Sequence, residues 1–154
     1  MSNHTEIEKI YEVVRIKQIT IENDRGLNLY SIKSPQDGAK IATMFIGDED
    51  REVLFVICLN QKNRVNAVHR CHIGSLDASI IHPREVMKTA ILNNSASIII
   101  AHNHPSGMVE PSREDIEVTK RMVQAGDILG IPLLDHLIVN DEGKYYSLKE
   151  HGYI

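Results

Sequence analysis

The residues alternate between apolar and polar through YEVVRIKQITIE (11–22), which predicts a strand with one wet face. Residues 1–10 read as a loose, flexible polar start, and NDRG (23–26) breaks the strand. Ser34-Pro35 has the form of an N-cap and first helical residue. Ala39, Ala42, Phe45 and Ile46 then line one helical face, and Gly47 ends the helix. VLFVICLN from Val53 and RVNAVHRCHIG up to Gly74 read as two strands, with QKN as the link of a hairpin. A helix is predicted to start at Pro83, with Val86, Met87, Ala90 and Ile91 on its inner side and Asn93-Asn94 as its stop. SASIIIA is short and almost wholly apolar, as expected of a central strand. HNHPSGMVEP is a loop. Ser112 to Leu129 is a helix with Val118, Met122, Ala125 and Leu129 as its stripe, ended by Gly130 and Pro132. LLDHLIVN and KYYSLKE form the last strands around the turn DEG. The order β-α-β-β-α-β-α-β-β predicts an α/β fold: one domain, with a mixed β-sheet flanked by helices.

Composition narrows the function classes. At 154 residues the chain has the length of one domain and can bury about 70% of its unfolded surface. Hydrophobic residues at 42% and charged residues at 25% are an ordinary globular balance, which argues against disorder. Seventeen basic residues against 21 acidic ones give a formal charge of −4, so no basic nucleic-acid footprint is visible in the bulk charge. Trp is absent and aromatics are 5%, which disfavours a stacking platform for single strands. Cys58 and Cys71 are too few for a disulfide framework and read as small buried hydrophobes of a reducing compartment. MSNHTEIEKI lacks the features of a signal peptide, and VLFVICL is far shorter than the ~20 residues of a membrane span. The expectation is a soluble, cytoplasmic protein without a membrane partner.

The chemistry concentrates in AHNHPSGMVEPSRED. His102 and His104 sit two apart where an apolar strand ends, so both imidazoles point to one side. Asp115 falls in the first turn of the next helix, with its carboxylate toward that strand end. Two His nitrogens and one Asp oxygen make a three-ligand site with a fourth position for water, the layout of catalytic rather than structural zinc. The plain alternative is that Ser112-x-x-Asp115 is a capping box. The two roles are compatible.

His102-x-His104, seven residues, Ser112, two residues and Asp115 match the JAMM motif of the JAB/MPN+ metalloprotease superfamily without a gap. HPREV, AHNHPSG, PSRED and LLDHLIV closely resemble the bacterial RadC-like proteins, from about Tyr11 to the C-terminus. The resemblance implies a JAB/MPN, cytidine-deaminase-like architecture over residues 11–154. It also implies one Zn2+ per chain on His102, His104 and Asp115. Longer RadC proteins carry an N-terminal helix-hairpin-helix region, and the expectation here is a short form without one. The superfamily also uses a glutamate at the start of a strand. Glu52 fits best, Glu49 is second, and Glu85 is a further candidate. By resemblance, Glu52 moves the proton between water and the leaving amine, and Ser112 hydrogen-bonds the oxyanion. The substrate implied is a peptide or protein joined by a peptide or isopeptide amide.

Other polar residues carry less. His69, Cys71 and His72 do not converge and read as sheet residues, and His82 belongs to a helix start. Arg84, Arg113 and DEDREV read as solvated. Asp135 and His136 lie on opposite faces of a strand, where one could support the metal ligands or both could serve packing. The letters HNH resemble a nuclease name, but that motif spreads over a longer hairpin-helix unit. The zinc deaminases need His-x-Glu and a later Pro-Cys-x-x-Cys, which this chain lacks. Two further readings remain open: a non-catalytic MPN-type interaction scaffold, and a DNA-repair accessory. Nucleic acid enters only through the family label, and an oligomer is left open.

Overall fold

The computed structural model describes residues 8–22 and 31–154. The elements are α1 (Pro35–Ile46), β1 (Val53–Leu59), β2 (Val65–Ile73), α2 (Pro83–Leu92), β3 (Ser97–Asn103), α3 (Arg113–Leu129), β4 (Leu133–Val139) and β5 (Tyr145–Ser147). The five strands form one mixed sheet in the order β2-β1-β3-β4-β5. β3 lies at its centre, antiparallel to β1 and parallel to β4.

Both sheet faces are covered, which explains why β1 and β3 are buried along their whole length. Alternate residues sort to the two faces. Phe55, Ile57, Leu59, Ile99 and Ala101 pack with Ala42, Phe45 and Ile46 of α1. Leu54, Val56, Cys58, Ile98 and Ile100 pack with Met87 of α2 and Val118 and Met122 of α3. Ser34 caps α1 as expected, its Oγ accepting the Asp37 amide at 3.4 Å. Cys58 is fully buried and Cys71 half-buried, and both are free. No described helix is long and apolar enough to cross a membrane.

Three expectations are corrected. Residues 11–22 form no strand: their backbone is irregular, and Ile10, Val14, Ile19 and Ile21 are exposed. Alternation alone does not make a strand, because the ladder hydrogen bonds need a neighbour and none pairs with this segment among the described residues. Its recorded tie is Gln18 Nε2 donating to Asn93 Oδ1 at 2.8 Å. The expected break at 23–26, like residues 1–7 of the polar start, lies outside the described residues. Ile91 is exposed rather than inward. In α3 the buried face is Asp115, Val118, Thr119, Met122 and Gly126, while Ala125 is half-buried and Leu129 exposed. Gly126 lies on that buried face. A Cβ there would lie 2.6 Å from the Ile131 carbonyl oxygen, so the helix meets the turn into β4 through bare backbone.

Candidate metal centre

β3 supplies both histidines from its C-terminal end. His102 is its penultimate residue and fully buried, and His104 follows just beyond the strand. α3 supplies Asp115 through a complete capping box. Ser112 Oγ accepts the Asp115 amide at 3.1 Å, and Asp115 Oδ2 accepts the Ser112 amide at 2.8 Å. The cap and the site are one construction: the bonds that start the helix also fix the carboxylate.

The three side chains converge. His102 Nε2 lies 2.9 Å from His104 Nε2, His102 Nε2 lies 3.2 Å from Asp115 Oδ1, and His104 Nε2 lies 3.3 Å from Asp115 Oδ2. Zn–N bonds of about 2.0–2.1 Å at a tetrahedral centre set ligand atoms about 3.3 Å apart. The two nitrogens lie within a few tenths of an ångström of that spacing and each faces one oxygen of the Asp115 carboxylate, so His102, His104 and Asp115 could hold a metal ion. The donor chemistry agrees. His104 Nδ1 is 2.7 Å from the Met108 carbonyl, which can only accept, so Nδ1 carries the proton. In neutral His104, Nε2 therefore presents a lone pair to an electron-rich neighbourhood. A cation relieves that crowding.

Burial works against a charged His104, but Asp115, the Met108 carbonyl and Glu52 together raise its pKa above the usual histidine value. Burial would likewise neutralise Asp115, yet His102, His104 and the Ser112 amide hold its pKa far below the carboxylate range. His136 behaves oppositely. Fully buried, and with His102 beside it, it is kept neutral, its pKa well below the ordinary value.

Glu52 immediately precedes β1 and is brought to the same place. Its Oε1 stands 3.9 Å from His104 Nε2, and its Oε2 accepts the Leu76 amide at 3.2 Å. Glu49 lines the mouth of an open cleft of about 340 Å³ beside His104, with Gly47, Asp48, Asp50, Pro105 and Asp141. Glu85 is elsewhere, paired with Lys88 at 3.1 Å on the exposed side of α2. His69, Cys71 and His72 lie along the edge strand β2, outside the metal-ligand group. His82 stands at the N-cap of α2 without a side-chain cap bond.

The match to known proteins covers this whole unit. A family model described as the RadC-like JAB domain matches residues 32–153. The chain belongs to the RadC-like JAB family. It is 55% identical over 127 residues to a UPF0758 protein of Geobacillus sp. strain WCH70, covering 81% of this chain and 55% of that protein. A UPF0758 protein of Caldanaerobacter subterraneus subsp. tengcongensis is 46% identical over 145 residues, 94% of this chain and 61% of its own length. One from Methanosarcina barkeri is 41% identical over 149 residues, 97% of this chain and 63% of its own. The chain thus spans less than two thirds of the length of these relatives.

Three residues of this RadC-like site escaped the sequence reading or were left undecided by it. Asn103, between the two histidines, points to the other face of β3. Its Oδ1 accepts the Val53 amide at 2.8 Å, and its Nδ2 donates to the carbonyls of Glu49 at 3.2 Å and Arg51 at 2.9 Å. His136 Nε2 contacts His102 Nδ1 at 2.7 Å, so of the Asp135–His136 pair it is the histidine that reaches the candidate metal ligands. Thr119 Oγ1 lies 2.6 Å from His136 Nδ1. Asp135 accepts from Ser147 Oγ and from the Lys149 and His136 amides, securing the chain after β5. The available signal was a polar residue on an otherwise apolar buried face, shared by Asn103, Thr119 and His136.

Proposed function

We propose that this chain is a zinc-dependent hydrolase of peptide or isopeptide amides. The observation that carries the reading is the convergence of His102 Nε2 and His104 Nε2, 2.9 Å apart, on the Asp115 carboxylate, whose Oδ1 lies 3.2 Å from the first and Oδ2 3.3 Å from the second, beside the Glu52 carboxylate. Two nitrogens and one oxygen from protein suit zinc in a hydrolytic role, whereas structural zinc sites are closed by four protein ligands, often cysteines. Zinc in such a site supplies Lewis acidity, making hydroxide available near neutral pH and polarising a carbonyl.

The protein's own groups then have distinct tasks. His102, His104 and Asp115 hold the ion. Glu52 accepts the proton of the attacking water at Oε1 and returns it to the leaving amine. Its other oxygen is anchored on the Leu76 amide, which limits its swing. Ser112 uses an oxygen lone pair for the helix cap, leaving its O–H proton for the developing oxyanion. The cleft beside His104 seats the substrate.

The test is hydrolysis of linear and isopeptide-linked peptide panels by zinc-loaded wild type and by Glu52→Gln. Cleavage by wild type, reduced at least a hundredfold in the variant, is expected from the usual 10²–10⁴-fold contribution of a general base. Equal rates would remove Glu52 from the mechanism. No cleavage by a fully zinc-loaded wild type would remove the hydrolase reading.

A further inference from the structure

We propose that His136 is a positioning residue for this centre: together with Thr119 it fixes which nitrogen of His102 faces the ion. The inference rests on the metal-site reading above. It begins at the one group with no choice. The Asp115 main-chain carbonyl can only accept, and Thr119 Oγ1 lies 2.7 Å from it, so the single hydroxyl proton of Thr119 goes there. Thr119 Oγ1 is also 2.6 Å from His136 Nδ1, and the proton in that contact must come from His136. A neutral imidazole has one N–H, so His136 Nε2 carries a lone pair. That atom is 2.7 Å from His102 Nδ1, which must therefore donate. His102 Nε2 is thus the nitrogen left to face His104 and Asp115, and its lone pair is the one available to a cation there.

Each link is thus decided by the one before it. The path leaves Asp115 through its carbonyl and returns to its carboxylate, crossing α3, β4 and β3. Thr119, His136 and His102 are all fully buried, so water offers no alternative partner. The opposite tautomer of His102 would set two lone pairs against each other at His136 and aim an N–H into the centre. In the apolar layer beneath the site that arrangement leaves polar atoms unpaired.

The test reads tautomers and affinity rather than turnover. Imidazole ¹⁵N–¹H correlation spectra of metal-free wild type should find His102 and His136 both protonated at Nδ1. Competition with a chromophoric chelator should give a zinc Kd raised about 10–100-fold in His136→Leu, the usual effect of losing a ligand's hydrogen-bond partner. His136→Gln should recover most of the affinity, since its amide can accept from His102 and donate to Thr119. Thr119→Val should weaken zinc and Thr119→Ser should not, which decides the matter if His136→Leu does not fold. A folded His136→Leu with wild-type zinc affinity would overturn the proposal. So would a His102 whose Nδ1 carries no proton in the metal-free wild type. A wild type that binds no zinc would instead defeat the metal-site reading, with the tautomers still judging the relay.

Discussion

Asn103 Oδ1 accepts the Val53 amide at 2.8 Å, tying the strand that carries both histidines to the residue that follows Glu52. The same side chain donates to the Glu49 and Arg51 carbonyls, so one buried amide holds the turn over residues 49–53. The two candidate ligand histidines come from β3 and the candidate base from the start of β1, and this clamp sets their distance. Asn103→Leu would leave three backbone groups short of a partner, costing about 2–3 kcal/mol. Zinc affinity should stay near wild type, because His102 and His104 project from the other face. Hydrolysis should fall toward the Glu52→Gln level. Urea titration and chelator competition on the same sample check both halves.

Acid should weaken the metal-free protein in a way His136 controls. The unfolded chain protonates this histidine near pH 6.5, whereas the folded chain keeps it neutral. The unfolded state therefore binds more protons below about pH 6.5, and stability falls as pH drops through that point. Asp115 adds to the loss at lower pH: its depressed pKa gives stability present above the carboxylate range and lost on acidification below it. His104 runs oppositely, with a contribution fully present below about pH 6.5 and lost as pH rises through its elevated folded value. His136→Gln removes the first contribution. Denaturation midpoints at about pH 7 and pH 5 should therefore differ less in that variant than in wild type.

Ser112 has two tasks that one pair of substitutions separates. Ser112→Ala removes the cap of α3 and should cost about 1 kcal/mol. Ser112→Gly should cost only a few tenths, because glycine is tolerated at an N-cap. Both lose the hydroxyl proton. If that proton serves the oxyanion, both variants should lose about 10²–10³ in kcat, despite their different stabilities. Rates that track stability instead would confine Ser112 to capping.

Gly126 marks where α3 meets the turn into β4. Alanine would raise helix propensity by about 1 kcal/mol but would press its Cβ against the Ile131 carbonyl and the Leu133 amide, 2.6 and 3.2 Å away. Backbone at that distance cannot move aside as a side chain would. Gly126→Ala should be destabilised by about 1–3 kcal/mol net, read by urea unfolding. A more stable variant would contradict the close-approach explanation.

Much of the fold was legible because local signals agreed with the tertiary solution. Ser34-Pro35, Pro83, Ser112 and Gly130 mark helix ends in the sequence, and the structure places them there. The apolar run around Ile98–Ile100 becomes the central strand because only a doubly covered strand tolerates it. Residues 11–22 misled because strand formation depends on a neighbour, which the pattern cannot supply. The α3 stripe misled because Gly126 packs by absence of a side chain, invisible to hydrophobic periodicity. At the site, spacing brought His102, His104 and Asp115 together on paper because strand parity and a helix cap are local rules. The roles of Asn103, Thr119 and His136 depend on partners at least 17 residues away in sequence, at Val53, His136 and His102 or Thr119, so local spacing was silent about them.

The most direct test of the metal centre is elemental analysis of protein purified without chelators, with Asp115→Ala and His104→Ala alongside. Close to one zinc per wild-type chain, falling sharply in both variants while their folds persist, is the expected result. Wild type that folds without zinc and takes none up on reconstitution would contradict it, leaving Asp115 to cap α3 and the two histidines as hydrogen-bonding residues at the end of β3.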